Sequence, residues 1–412
     1  MLTISREHKE FIFSKEGIAS ILLSSFFCKE QLLYFFNMLG LLLLRKNTPY
    51  DTIIVYAAYY FCILLFIYYC VRNCSVRTIW LFIAGGVFLG GTVLIYRENL
   101  QYISEYGSRI FMEFMFPIIV LQQIRSRDHI VGSIRFGTLI SGICMLIAYP
   151  MNEIVLKNHT AIDGYMVLTY MILVGFAGFI YFGITERRKA YIAIAIILFL
   201  EMVVAGSRGP LVCGIVITLI ALRRSYNHLS RRSLLAITCV VMVAFGVTYN
   251  LDRVLLSLQK LVNQYQINAR ILDLISAGKF MNNESVDIRN NVFEYMGDYI
   301  KSNPFGYGFL GDRVILANIN ASYPHNFFYE IVLQFGWIIG GLVSIYIVYK
   351  LIRHLVFSTG KSVFESPIDI TFAIGFVKLL MSGSYIWESL FAIMIYLIIA
   401  ERKYYCYDRE EL

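Results

Sequence analysis

Long apolar stretches alternate with short polar ones along most of the chain, at about 24–44, 52–71, 78–96, 109–124, 131–150, 165–184, 190–205, 210–222, 233–249, 326–349, 366–383 and 385–400. A helix needs ~20 apolar residues to cross a ~30 Å hydrocarbon layer, and most of these runs come close. None alternates residue by residue, as the strands of a membrane barrel do. The pattern predicts an all-α, polytopic membrane protein with eleven or twelve transmembrane helices. The count turns on the first run: Lys29 and Glu30 split the stretch from Gly17 to Leu44, leaving room for an interfacial helix before the span.

One connection is much longer than the rest. Residues 250–325 carry helical periodicity of their own, with an apolar stripe at Leu255, Leu258, Leu261 and Val262. A second helix is predicted from Asp287 to Lys301, with Ile288, Val292, Tyr295 and Tyr299 on one face. Ser285 and Asp287 supply start signals, and Asn303-Pro304 stops it. Three regions follow: nine spans over 1–249, a mainly helical loop domain over 250–325, and the last three spans with the C-terminus over 326–412. Long loops of this kind in compact proteins are usually functional.

Composition agrees with the pattern. Of 412 residues, 58% are hydrophobic and only 16% charged, against roughly 25% charged in soluble proteins. A soluble globular protein and a single-span anchor are both excluded. The net charge of +8 is no nucleic-acid signature, because Lys and Arg cluster between apolar runs. Alternate loops hold fifteen basic residues on one side, among them Arg187, Arg188, Arg223 and Arg224, and five on the other. The positive-inside rule places the richer set, and both termini, in the cytoplasm. The 250–325 segment then faces outward. The N-terminus shows no cleavable signal pattern. The cysteines show no disulfide or metal spacing and read as reduced core residues.

Three places carry candidate chemistry, all on the outer side of this topology. In Gly206-Ser207-Arg208-Gly209-Pro210, Pro210 suits a first helical turn. Free amides and the positive end of the helix dipole then point toward Arg208, whose planar fork suits phosphate oxygens. A snorkelling interfacial arginine is the plain alternative. Arg289 lies four residues before Phe293 and seven before Met296, beside the apolar face of its helix rather than opposite it. Tyr323-Pro324-His325-Asn326 leads directly into an apolar run. Imidazole is the usual general base near neutral pH, and Glu330 stands where it can orient the ring or the substrate. Against this, Asn is also a good helix cap. Gly306, Gly308 and Gly311 spell G-x-G-x-x-G without a preceding strand, so they read as a tight turn permitting close backbone approach. Glu113, Glu201, Glu388 and Lys378 fall singly on different spans, as interhelical polar contacts or an ion path. A secondary transporter would show an internal repeat, and none is visible.

From about residue 190 to 350 the chain resembles the O-antigen polymerase and O-antigen ligase superfamily. The resemblance rests on Ser207-Arg208-Gly209 after a span, an outer loop with an Arg followed by aromatic residues and Asn303-Pro304-Phe305-Gly306-Tyr307-Gly308, and Pro324-His325-Asn326 leading into a span with Phe335-Gly336. It implies transfer of a glycan from an undecaprenyl-diphosphate carrier at the outer face of a bacterial inner membrane. By position, Arg208 and Arg289 would hold the diphosphate and His325 would activate the acceptor, with Tyr323, Asn326 and Glu330 in support. No metal or other cofactor is implied, and in-line displacement would invert the anomeric centre. The implied partners are the lipid-linked oligosaccharide and the bilayer, and the resemblance admits a chain-length-regulating membrane protein. A polymerase extends another lipid-linked repeat unit, whereas a ligase delivers the glycan to lipid A core. The motifs do not separate these two, and the Tyr- and Phe-rich character favours the polymerase.

Overall fold

The computed structural model describes residues 14–44, 50–72, 76–156, 165–205, 207–225, 284–357 and 365–410. The apolar run at 233–249 and the Leu255–Val262 stripe lie outside the described residues. Helices make up nearly all of the remainder, with no strand among the described residues. Among the described residues, five helical stretches are long and apolar enough to cross a membrane: Lys15–Leu42, Thr78–Ile95, Arg127–Asn152, Met166–Thr185 and Phe327–Val356. The protein is an all-α polytopic membrane protein.

Helix α1 (Lys15–Leu44) runs unbroken through Lys29 and Glu30, so the first apolar stretch is one helix rather than two. Lys29 Nζ sits 3.3 Å from Glu30 Oε1 and 4.9 Å from the centre of the Tyr59 ring. Next come α2 (Tyr50–Arg72), α3 (Val76–Ile95) and a short 3-10 turn at Arg97–Asn99. Helix α4 (Leu100–Ile110) continues through a π-helical turn, Phe111–Met115, into α5 (Phe116–Gln123). The central bundle is α6 (Arg127–Leu156), α7 (Tyr165–Thr185), α8 (Lys189–Ala205) and α9 (Arg208–Ser225).

Helix α1 packs along α6, and α7 lies against α6, α8 and α9. Lipid tails are as apolar as leucine, so spans associate through close packing of small residues. Gly142 and Gly175 provide it here: a Cβ built on Gly175 would lie 2.2 Å from Gly142 Cα. Gly175→Ala is therefore expected to destabilise the protein by about 1–3 kcal/mol, the usual cost of overpacking. Gly132→Ala, where a Cβ meets nothing within 4 Å, is the matched control. Thermal unfolding of both variants in detergent checks the pair, and equal midpoints would refute the packing argument.

The described part of the 250–325 segment contributes α10 (Glu284–Ser302) and α11 (Gly311–Ala317). Helix α10 contains the predicted Asp287–Lys301 helix and stops at Asn303-Pro304. Val292 and Met296 bury against Ile315, Leu316 and Leu333, while Phe293 stacks on Tyr329 at 4.8 Å. The glycine turn behaves as its sequence suggests. Gly306 and Gly308 have φ of 75° and 77°. The amides of Tyr307 and Gly308 donate to the carbonyls of Leu333 and Gln334 at 3.0 and 2.8 Å. A Cβ on Gly306 would sit 2.3 Å from the Gly336 nitrogen, so only glycine permits this approach. Asn99 clamps the turn from the other side, its Nδ2 donating to the carbonyls of Tyr307 and Phe309 at 2.9 and 3.0 Å.

The last spans are interrupted. Helix α12 (Phe327–Phe335) opens into a π turn at Gly336–Gly340 and resumes as α13 (Gly341–Phe357). Helix α14 (Glu365–Thr371) passes through a third π turn, Phe372–Val377, into α15 (Lys378–Met381). A 3-10 turn at Tyr385–Trp387 precedes α16 (Ser389–Glu410).

Candidate functional site

The break between α15 and α16 organises the site. Ser382 and Ser384 are extended and Gly383 has a φ of 95°, so the chain leaves α15 and re-enters through the Tyr385–Trp387 turn. Arg208 opens α9 beside this break: a Cβ on Gly209 would lie 2.4 Å from the Tyr170 hydroxyl and 3.6 Å from Met381 Cβ. Pro210 occupies the buried first turn, as its missing N–H predicts. His325 arrives from the other direction, because the next residue, Asn326, donates from Nδ2 to the Leu380 carbonyl at 3.5 Å. The neighbours of the two candidate residues, Gly209 and Asn326, thus approach the same stretch of chain, Leu380–Met381.

Asn326 performs the capping. Its side-chain oxygen accepts from the amides of Phe328 and Tyr329 at 2.9 and 3.4 Å. That leaves His325 one position outside the helix, at a φ of 59°. A left-handed conformation is uncommon for a side chain of this size and costs on the order of 1–3 kcal/mol unless its surroundings enforce it. The His325 and Tyr323 rings lie 4.2 Å apart. The side chain of Arg289, within α10, lies outside the described residues.

On the other side of the Tyr323 ring, 6.0 Å from the Arg313 Cζ, is a buried charged network. Arg313 Nη2 donates to Glu330 Oε1 at 2.8 Å and to Ser384 Oγ at 2.6 Å, while its Nη1 reaches Asp312. Ser384 Oγ and the Tyr385 amide also donate to Glu330, the amide at 3.2 Å. Gln334 joins the two carboxylates' surroundings, donating to Asp312 at 2.6 Å and accepting from the Tyr385 hydroxyl at 2.6 Å. Both Glu330 oxygens are thus engaged, so the residue seen from sequence as an orienter of His325 or substrate is occupied in tying α12 to α11 and to the break. Burial pushes the Asp312 carboxyl above its ordinary value, against the pull of Arg313. Burial alone would lower the Arg313 guanidinium, but Asp312 and Glu330 reverse this and raise it.

Sequence reasoning passed over Asp312, Arg313, Ser384 and Trp387. Adjacent charges at the start of a short helix read as a solvated face, and nothing local announces partners contributed by two later spans. Trp387 covers the network, with the Arg313 Cζ 4.9 Å from its ring centre and Tyr323 edge-on at 6.0 Å. Of the four charges read from sequence as falling singly, Lys378 pairs with Glu388 and Glu113 accepts from Ser389, whereas Glu201 stands alone, its buried Oε2 without a partner among the described residues. Lys378 Nζ also lies 5.2 Å from the Tyr170 ring.

Residues 173–344 match the family model described as O-antigen ligase. The resemblance to the O-antigen polymerase and ligase superfamily is thereby shown over a stretch running from within α7 to within α13. No curated protein and no solved structure matches the chain. The matched stretch contains Arg208, Arg289, Arg313 and His325 and leaves Lys378, Ser384 and Trp387 outside it. With its membrane-spanning helices, the protein is a membrane glycan-processing enzyme of glycosyltransferase type.

For such chemistry the residues around Leu380–Met381 offer the following. A helix start with an arginine can stabilise a departing phosphate oxygen. An imidazole held outside a capped helix can accept a proton. The Tyr323 ring lies against His325, and the Tyr170 hydroxyl beside Gly209. At the far end of α9, Arg224 Nε and Nη2 bind Asp369 at 2.8 and 3.0 Å, with His354 Nε2 3.1 Å from the same carboxylate. The two ends of α9 are about 24 Å apart by helix rise. The second network therefore secures the opposite end of the bundle and lies too far away to join the candidate site.

Proposed function

We propose that the protein is an O-antigen-type surface polysaccharide polymerase. It transfers a glycan from undecaprenyl diphosphate onto another lipid-linked repeat unit, at the periplasmic face of the bacterial inner membrane, with both termini in the cytoplasm. The observation that carries this reading is the convergence of the Arg208 helix start and the His325 turn on Leu380–Met381. The diphosphate is already a good leaving group, so the reaction needs charge stabilisation more than an acid. Arg208, with the free amides of α9 and with Arg289 by resemblance, supplies it. His325 takes the proton from the acceptor hydroxyl as the new glycosidic bond forms and the bond to diphosphate breaks. Attack in line with the leaving group inverts the anomeric centre.

A ligase delivering the glycan to lipid A core is the second reading, favoured by the description of the matching family. Deleting the gene tests the pair. Lipopolysaccharide bearing a single repeat is the result expected for a polymerase, and bare core that for a ligase. Complementation with Arg208→Lys is expected to restore little of the ladder, because a point charge replaces a bidentate fork. A full ladder from that variant would remove Arg208 from the site.

A further inference from the structure

Arg109 is the residue whose placement the reading above leaves unused. It lies in the last turn of α4, exposed, with its Cζ 4.5 Å from the centre of the Trp387 ring. Two guanidinium groups therefore flank one indole, and they differ in their commitments. Arg313 is 3% exposed and spends its donors on Asp312, Glu330 and Ser384. Arg109 has the Trp387 ring and no hydrogen bond or ion pair with any described residue.

The ordinary explanations for such an arginine do not fit. Glu105, one turn earlier and the natural i,i+4 partner, makes no ion pair with it. A basic residue often complements the negative end of a helix dipole, but no helix ends here, since the chain continues through the Phe111–Met115 π turn into α5. That π turn packs against the Tyr385–Trp387 turn, with Phe114 and Tyr385 at 6.1 Å. Such turns are frequent at functional sites, and this one sets where Arg109 points. Stacking on a ring uses the face of a guanidinium and leaves its in-plane N–H fork open, the geometry that binds oxyanions bidentately. Trp387 adds a second donor: its Nε1–H is buried and has no acceptor among the described residues, a state that ordinarily marks a missing partner. Two ring contacts, Trp387 to Tyr323 and Tyr323 to His325, connect this pair to the candidate base.

The geometry points to Arg109 and Trp387 as an oxyanion-binding subsite of the glycan-transfer site, contributed by the part of the chain that the family match does not reach. The subsite rests on the transfer reading for its substrate, an anionic group of the lipid-linked glycan. Two sources share that chemistry: the diphosphate of the donor and the carboxylate of an acidic sugar.

The chain has three tryptophans, and Trp80 and Trp337 are exposed on the outside of the helical bundle at 64% and 57%. Replacing both with phenylalanine makes Trp387 the sole indole reporter. The full chain, in lipid nanodiscs, is titrated with inorganic pyrophosphate, with glucuronate and with neutral glucose while Trp387 emission is recorded. A saturable change with pyrophosphate, glucuronate or both is expected, with none for glucose. Pyrophosphate identifies the donor diphosphate as the source, and glucuronate an acidic sugar. Arg109→Gln, monodisperse by gel filtration, is expected to weaken the response by about 10- to 100-fold, as loss of a charged hydrogen bond does. No response to either anion, or a response that Arg109→Gln leaves unchanged, overturns the subsite. An Arg109-dependent response in a protein that transfers no glycan would keep the subsite and sink the transfer reading.

Discussion

Replacing His325 with alanine is expected to lower glycan transfer by ~10²–10⁴, the usual contribution of a positioned general base, while the protein still inserts in the membrane. The expectation rests on separation of tasks at 325–326. Asn326 caps α12, so removing the imidazole leaves the helix start intact. The left-handed backbone at His325 supplies a control, because asparagine tolerates that conformation but offers no base. His325→Asn should therefore match the wild type in thermal midpoint and match alanine in activity. Transfer is read as the ladder of chain lengths formed in cells lacking the native gene. A wild-type ladder from both variants would exclude His325 as the base. An active asparagine variant beside an inactive alanine one would mean that backbone geometry, rather than proton transfer, is what the position supplies.

Glu330→Ala is expected to cause the largest loss of stability, about 3–5 kcal/mol, the cost of stranding a buried charge by removing its partner. Glu330 is 0% exposed and accepts from Arg313, Ser384 and the Tyr385 amide. Its removal uncouples α12 from the break between α15 and α16. The double replacement Glu330→Leu with Arg313→Met should cost much less than the two single changes together, since no charge is then left unpaired. Thermal unfolding of the singles and the double measures the coupling. Wild-type stability in Glu330→Ala combined with lost transfer would contradict the structural role and return Glu330 to the side of the substrate.

Much of the architecture was readable along the chain because the forces behind it are local or are imposed by the bilayer. A span must satisfy its own backbone in lipid, so apolar run length announces α3, α6 and α7 directly. Pro210 at a helix start and Asn326 at a cap act within one turn. The close approach made by Gly306 and Gly308 follows from residues that alone accept a positive φ. The continuity of α1 was not readable, because Lys29 stabilises itself on Glu30 and on Tyr59 of the neighbouring helix.

The site divides along the same line. Arg208 and His325 stood out because polar residues are costly at the end of an apolar run and invite explanation. Asp312 and Arg313 did not, because their partners Glu330 and Ser384 come from α12 and from the break before α16, whose adjacency no short-range pattern records. Arg109 and Trp387 are the extreme case, one from α4 and one from a turn before the last helix. The sequence by itself determined the helices, their caps, the glycine turn and a set of candidate residues, all governed by interactions over a few positions. Only the tertiary structure decided which charges are buried together and which ring each guanidinium covers, because those depend on which helices become neighbours.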